Sequence, residues 1–201
     1  MPTRIQAIFS ITAFVVALGL VLTPVEAAQD KDLKSTVRQI AEAIRKGDAD
    51  CAKKMAVAVA KDKELIDRVS DFMHLFGKRK GMGLGVGPKP LENPSKDSIE
   101  IMIRDLARMV PPGFTKQLGA FEDMGYHIAA LGEVSLAAAD LAPIGAGKTK
   151  AAWTEMSEDM RHLGIAFAKA VETKNADKIK TAAGKVNENC NRCHTTFKKM
   201  P

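Results

Sequence analysis

Residues 176–199 read ADKIKTAAGKVNENCNRCHTTFKK, and within them Ile179, Ala183, Val186, Cys190, Cys193 and Phe197 recur at steps of three and four. That period predicts one helix over 176–199 with a single apolar face. The preceding stretch repeats the signal: Trp153, Met156, Met160, Leu163, Phe167 and Ala170 share a face over 149–173. Two long amphipathic helices joined by a short connection pack as antiparallel neighbours.

Further upstream the same period persists. A helix is predicted from Thr115 to just before Pro143, and a shorter one over 98–109 that Pro111 and Pro112 terminate. Leu65, Val69, Phe72, Met73 and Phe76 form a stripe on a helix predicted over 49–76, with Asp48 as its cap. Leu33, Val37, Ile40 and Ile44 form another over 32–46, stopping at Gly47. Between 77 and 90, Gly81, Gly83, Gly85 and Gly87 precede Pro88 and Pro90, so neither helix nor strand is expected there. Only 5% of the 201 residues are aromatic while 46% are hydrophobic, a balance that disfavours sandwiches and barrels. The fold class expected is all-α: an antiparallel four-helix bundle with additional short helices and a Gly-rich loop. One domain is expected over 28–201, with the first bundle helix and the loop in 28–97 and the remaining helices in 98–201.

Residues 1–27 read as an export signal. Arg4 precedes an apolar run from Ile8 to Leu22, and small residues stand before the expected cleavage site at Ala27. The run is about 15 residues where a membrane span needs about 20. Removing Arg4 and Glu26 leaves the net charge at +6. A soluble protein outside the cytoplasm, in the periplasm or otherwise exported, is therefore expected.

The chemistry is carried by Cys190, Asn191, Arg192, Cys193 and His194. C-x-x-C-H is the signature of covalent haem attachment, in which two thiols add to the porphyrin vinyl groups and the adjacent imidazole binds iron. On a helix, positions i, i+3 and i+4 share a face, so both sulfurs and the imidazole address one flat macrocycle. A redox dithiol would want a βαβ context, a zinc site a second ligand pair, and a disulfide leaves His194 unexplained. One covalent haem c is the cofactor expected.

With Trp153, the stretches 167–171 and 178–186, and then Cys190, Cys193, His194, Phe197 and Lys198, the chain resembles the class II c-type cytochromes. These are the cytochrome c prime group and its Met-ligated low-spin relatives. The resemblance covers roughly 149–199. It implies a four-helix bundle with haem between helices, His194 as proximal ligand, and a distal face supplied by the first bundle helix. The chain departs from that pattern in its greater length and in its Gly-rich loop.

Few residues follow His194, so a sixth iron ligand must come from upstream. Met73, on the apolar stripe, is the candidate. His74 is its rival, turned off that stripe; Met55, His127 and an open sixth position are further readings. Cys51 reads as a buried or half-buried small side chain, or else as one half of an intermolecular disulfide. Lys78, Arg79, Lys80 and Lys89 read as solvated loop charges, or as holders of a haem propionate or an acidic partner. Gly145, Ala146, Gly147, Lys148 and Thr149 imitate a phosphate loop, but Ala142 stands where its first glycine belongs, and Thr149 reads better as a helix cap.

Two functional classes remain. One is an electron carrier with a six-coordinate iron, serving redox partner proteins. The other is a haem protein with a five-coordinate iron that binds or senses a small gas. Neither is an enzyme, no acid and base pair being legible from spacing, and nucleic acid is not an expected partner. Pairing of two chains through the long helices stays open.

Overall fold

The computed structural model describes residues 32–145 and 148–197. The expected export signal lies outside them, as do Ala146, Gly147 and Lys198. Among the described residues the fold is all-α. Seven helices follow in chain order: α1 (Leu33–Arg45), α2 (Ala49–Lys61), α3 (Val69–Met73), α4 (Ile99–Arg108), α5 (Leu118–Ala137), α6 (Lys150–Glu172) and α7 (Ala176–Phe197).

Local chemistry sets most of the boundaries. Asp32 caps α1 by accepting from the Lys34 and Ser35 amides, and Gly47 ends the turn in the left-handed region. Asp48 caps α2, Ser98 caps α4 and Thr149 caps α6. The Thr149 cap, 3.1 Å from the Ala152 amide, is the role expected of that residue in place of phosphate binding.

The helix expected over 49–76 is broken. α2 ends at Lys61, and a turn at 62–68 separates it from α3, whose five residues run on into a 3₁₀ turn, His74–Phe76. Aspartates cause the break. The Asp62 carbonyl accepts from the Leu65 and Ile66 amides and its carboxylate from the Glu64 amide. The Asp71 carboxylate takes the Asp67 and Arg68 amides at 2.9 and 2.8 Å, which opens a new helix instead of continuing the old one. Of the four long helices expected, three are found, α5, α6 and α7; the first is two short pieces.

α5 is the centre of the molecule, buried on every side between Met124 and Ser135. α1, α2 and α6 pack against it, and α7 packs against α6 and α4. The α5/α6 contact is backbone to backbone: a Cβ on Gly164 would stand 2.5 Å from the Ala129 nitrogen, and one on Gly132 2.6 Å from that of Arg161. Buried Ser135 and Ser157 bond at 2.7 Å in the same interface, and Trp153 donates to the Ser135 carbonyl at 2.9 Å.

The Gly-rich segment is a loop, as expected, but it is packed rather than solvated. Gly83 to Gly87 are buried around Arg79. The Arg79 guanidinium donates to Asp97 at 2.6 Å and to the Gly87 carbonyl, and Asp97, 2% exposed, also accepts from the Val86 amide. Gly85 adopts φ +77°, and a Cβ there would enter the guanidinium, so side chains are excluded where the loop closes on its own cation. Lys78, Lys80 and Lys89 remain exposed, but Arg79 is consumed by the fold.

No helix among the described residues is long and apolar enough to cross a membrane.

Candidate functional site

The last two turns of α7 carry Cys190, Cys193, His194 and Phe197 at i, i+3, i+4 and i+7, and all four line one cavity of about 360 Å³. The helix is pinned to α6 there. Asn189, buried, donates to the Met156 carbonyl at 3.0 Å; Phe197 meets Trp153 edge to face at 5.2 Å; and Arg192 pairs with Asp159 and Glu155. These contacts fix the rotation of α7 so that the motif faces the cavity while Arg192, inside the motif, faces α6.

Cys190 and Cys193 are free thiols. Burial, then Cys193, then the carboxylate of Glu100 push Cys190 up to about 11. Burial also raises Cys193, against the opposing charge of Arg192. A redox dithiol needs a thiolate at neutral pH; both of these are held neutral. Among the described residues no three His, Cys, Asp or Glu side chains converge as a bare ion would require.

Met73 lines the same cavity, half-buried at the end of α3. His74 lines it too, although exposed, contrary to the expectation that it turns away. The reason is which face meets the cavity: Val69, Ser70, Met73 and His74, at i, i+1, i+4 and i+5, all line it, while Phe72 and Leu75 turn into the core. Met55 on α2 is not on the wall.

Nor is His127, which lies buried in α5 with its Nδ1 lacking any hydrogen-bond partner. Burial chiefly, with Arg38, Arg45 and Arg79 adding and Asp123 opposing, lowers its pKa to about 4. The folded state thus holds His127 neutral. The stability this contributes is complete above the free value near 6.5 and is lost as pH falls toward 4. The wild type is expected to lose about 3 kcal/mol more than His127→Gln between pH 7 and pH 4 in urea unfolding. Equal losses in the two proteins would refute this.

Cys51 is exposed, not buried as expected: the inward face of α2 is Ala52, Ala56 and Val59, and Cys51 stands one position off it.

Sequence reading missed the wall formed by α4, where Glu100, Ile103 and Arg104 face the cavity. The available signal was its apolar stripe, Ile99, Met102, Ile103 and Leu106, all buried. Ile99, Ile103, Trp153, Phe197 and Met160 make the lining largely apolar, a container for a flat hydrophobic group with two thiols and an imidazole on one wall. No family model matches the chain, and neither a curated protein nor a solved structure matches it.

Proposed function

We propose that the chain is an exported, periplasmic monohaem c-type cytochrome of the class II kind, carrying single electrons between redox partner proteins. One observation supports this reading most: Met73 and the Cys190, Cys193, His194 motif, more than a hundred residues apart, line one apolar cavity.

In this reading α5, α6 and α7 are the three long helices of the bundle, the expected first bundle helix is replaced by α2 and the short α3 that carries Met73, and α4, packed on α7, closes the cavity. Cys190 and Cys193 would hold the haem c through thioether bonds, each S–H adding across one vinyl group with no leaving group. His194 would bind the iron from the motif's wall, and Met73 would supply a further ligand. A bound haem c supplies a one-electron iron couple. Trp153, Phe197, Ile99 and Ile103 would keep water from it, and iron ligation by the Met73 thioether would raise its potential.

The test is the mature protein made with its signal and a haem-maturation system. Pyridine haemochrome after acid-acetone extraction is expected to show one retained haem, and the reduced spectrum is expected not to change with carbon monoxide. No haem at all overturns the reading. Haem that binds carbon monoxide readily replaces it with the five-coordinate gas-binding reading.

Met73→Leu preserves volume and apolarity, so packing alone predicts an unchanged spectrum and a cost under about 1.5 kcal/mol. Ligation predicts a lowered reduction potential and new carbon monoxide binding. His74→Ala is the paired control, since His74 shares the wall; it is expected to leave both readouts unchanged.

A further inference from the structure

A second concavity lies on the outer face of α6 and α7, toward the turn that joins them. It is an open groove of about 510 Å³ and shares no residue with the cavity at the motif. Its floor is small and apolar, with Leu163 and Ala170 from α6 and Ala182 from α7. Lys169 stands on the α6 side and Lys178 and Lys185 on the α7 side, all exposed.

These lysines are uncommitted among the described residues. The ion pairs of α6 and α7 are made elsewhere, by Lys150 with Asp140, Arg161 with Glu133, and Arg192 with Glu155 and Asp159. Asp177 is the one carboxylate on the groove wall. From Leu163 to Val186 the chain has five lysines against two carboxylates, so the surrounding field is positive as well.

Shape decides between occupants. A bilayer is engaged by a helix face rich in Trp, Phe and Leu, and the one large apolar side chain lining this groove is Leu163. Here the surface is concave and floored by alanines, which receive the ridge of another helix. Lys178 and Lys185 are two turns apart, about 10 Å along the axis, which matches carboxylates at the same spacing on a docked helix.

We propose that this groove docks an acidic helical segment of a partner protein, with its carboxylates on Lys169, Lys178 and Lys185 and its small apolar residues on the Ala170 and Ala182 floor. Ala182 precedes Cys190 by eight residues, about 12 Å along α7, so a docked helix leaves the motif's cavity uncovered. The proposal does not depend on the haem reading.

The probe is a synthetic helical peptide with Ala and Leu on one stripe and Glu on both flanks, titrated into the full mature chain by calorimetry and by amide NMR. Saturable binding is expected, with shifts concentrated at Ala170, Thr181 and Ala182. Combining Lys169→Glu, Lys178→Glu and Lys185→Glu is expected to weaken binding about tenfold or more. Lys53→Glu, Lys54→Glu and Lys61→Glu on α2, an equal change of net charge, is expected to weaken it less than about twofold. Ala182→Arg adds a positive charge while filling the floor: docking predicts weaker binding, a diffuse field predicts tighter. All substitutions are on exposed or half-exposed positions, and circular dichroism verifies the fold. The proposal is overturned by absent binding, by equal weakening from both triple variants, by tightening in Ala182→Arg, or by vesicles of phosphatidylglycerol binding in the peptide's place with the same dependence on Ala182.

Discussion

Cys190→Ser combined with Cys193→Ser is expected to yield a protein from which acid acetone removes every trace of haem, while the parent chain keeps its haem through the same extraction. Both sulfurs lie on the cavity wall, where two thioether bonds could anchor one flat group. Serine keeps the volume but cannot form a stable bridge. Stability is expected to fall with retention, because a cavity of about 360 Å³ lined by Trp153, Phe197 and the α4 isoleucines is then held open or collapses imperfectly. An apolar wall left to water instead of haem is no longer packed, so unfolding is expected at lower urea concentration than for the parent chain. His194→Ala separates anchoring from ligation: haem stays bound through acid acetone, but the absorption spectrum shifts. A double Ser variant that keeps covalent haem would refute the attachment, and an unshifted His194→Ala spectrum would refute the proximal ligand.

The second large effect is in the scaffold, and it has a built-in opposite. Gly164→Leu is expected to cost about 3 kcal/mol or more, since even its first carbon would stand 2.5 Å from the Ala129 nitrogen and 2.7 Å from the Gly125 carbonyl oxygen. Backbone cannot step aside as a side chain can, so α5 and α6 must separate along the interface that centres the fold. Gly184→Ala on α7 meets nothing within 4 Å and is expected to stabilise by up to about 1 kcal/mol, through helix propensity and a less flexible unfolded chain. Urea unfolding of the two variants decides the matter. Equal effects of the same sign would show that α5 and α6 are not in backbone contact.

Much of the fold was legible because its signals are short-ranged. Asp32, Asp48, Ser98 and Thr149 announce helix starts through hydrogen bonds to amides two or three residues away. The faces of α6 and α7 follow from a period of three and four. The break at 62–68 was equally local, written in Asp62 and Asp71, yet an apolar stripe running from Leu65 to Phe76 masked it. There periodicity outweighed capping chemistry in the reading, and in the structure capping chemistry prevailed.

By itself the sequence determined the helical class, the ends of most helices, and the shared face of Cys190, Cys193 and His194, since each depends only on neighbours along one helix. Tertiary structure alone decided which distant residues meet that face. Met73 and His74 reach the cavity on a short segment, α4 supplies the opposing wall, and Met55 and His127 are turned elsewhere. It also decided that Cys51 faces solvent and that the Gly-rich loop is folded tightly around Arg79 and Asp97. The physical reason is the same in each case: helical spacing specifies which side chains share a face, but what that face meets is set by packing between segments far apart in the chain.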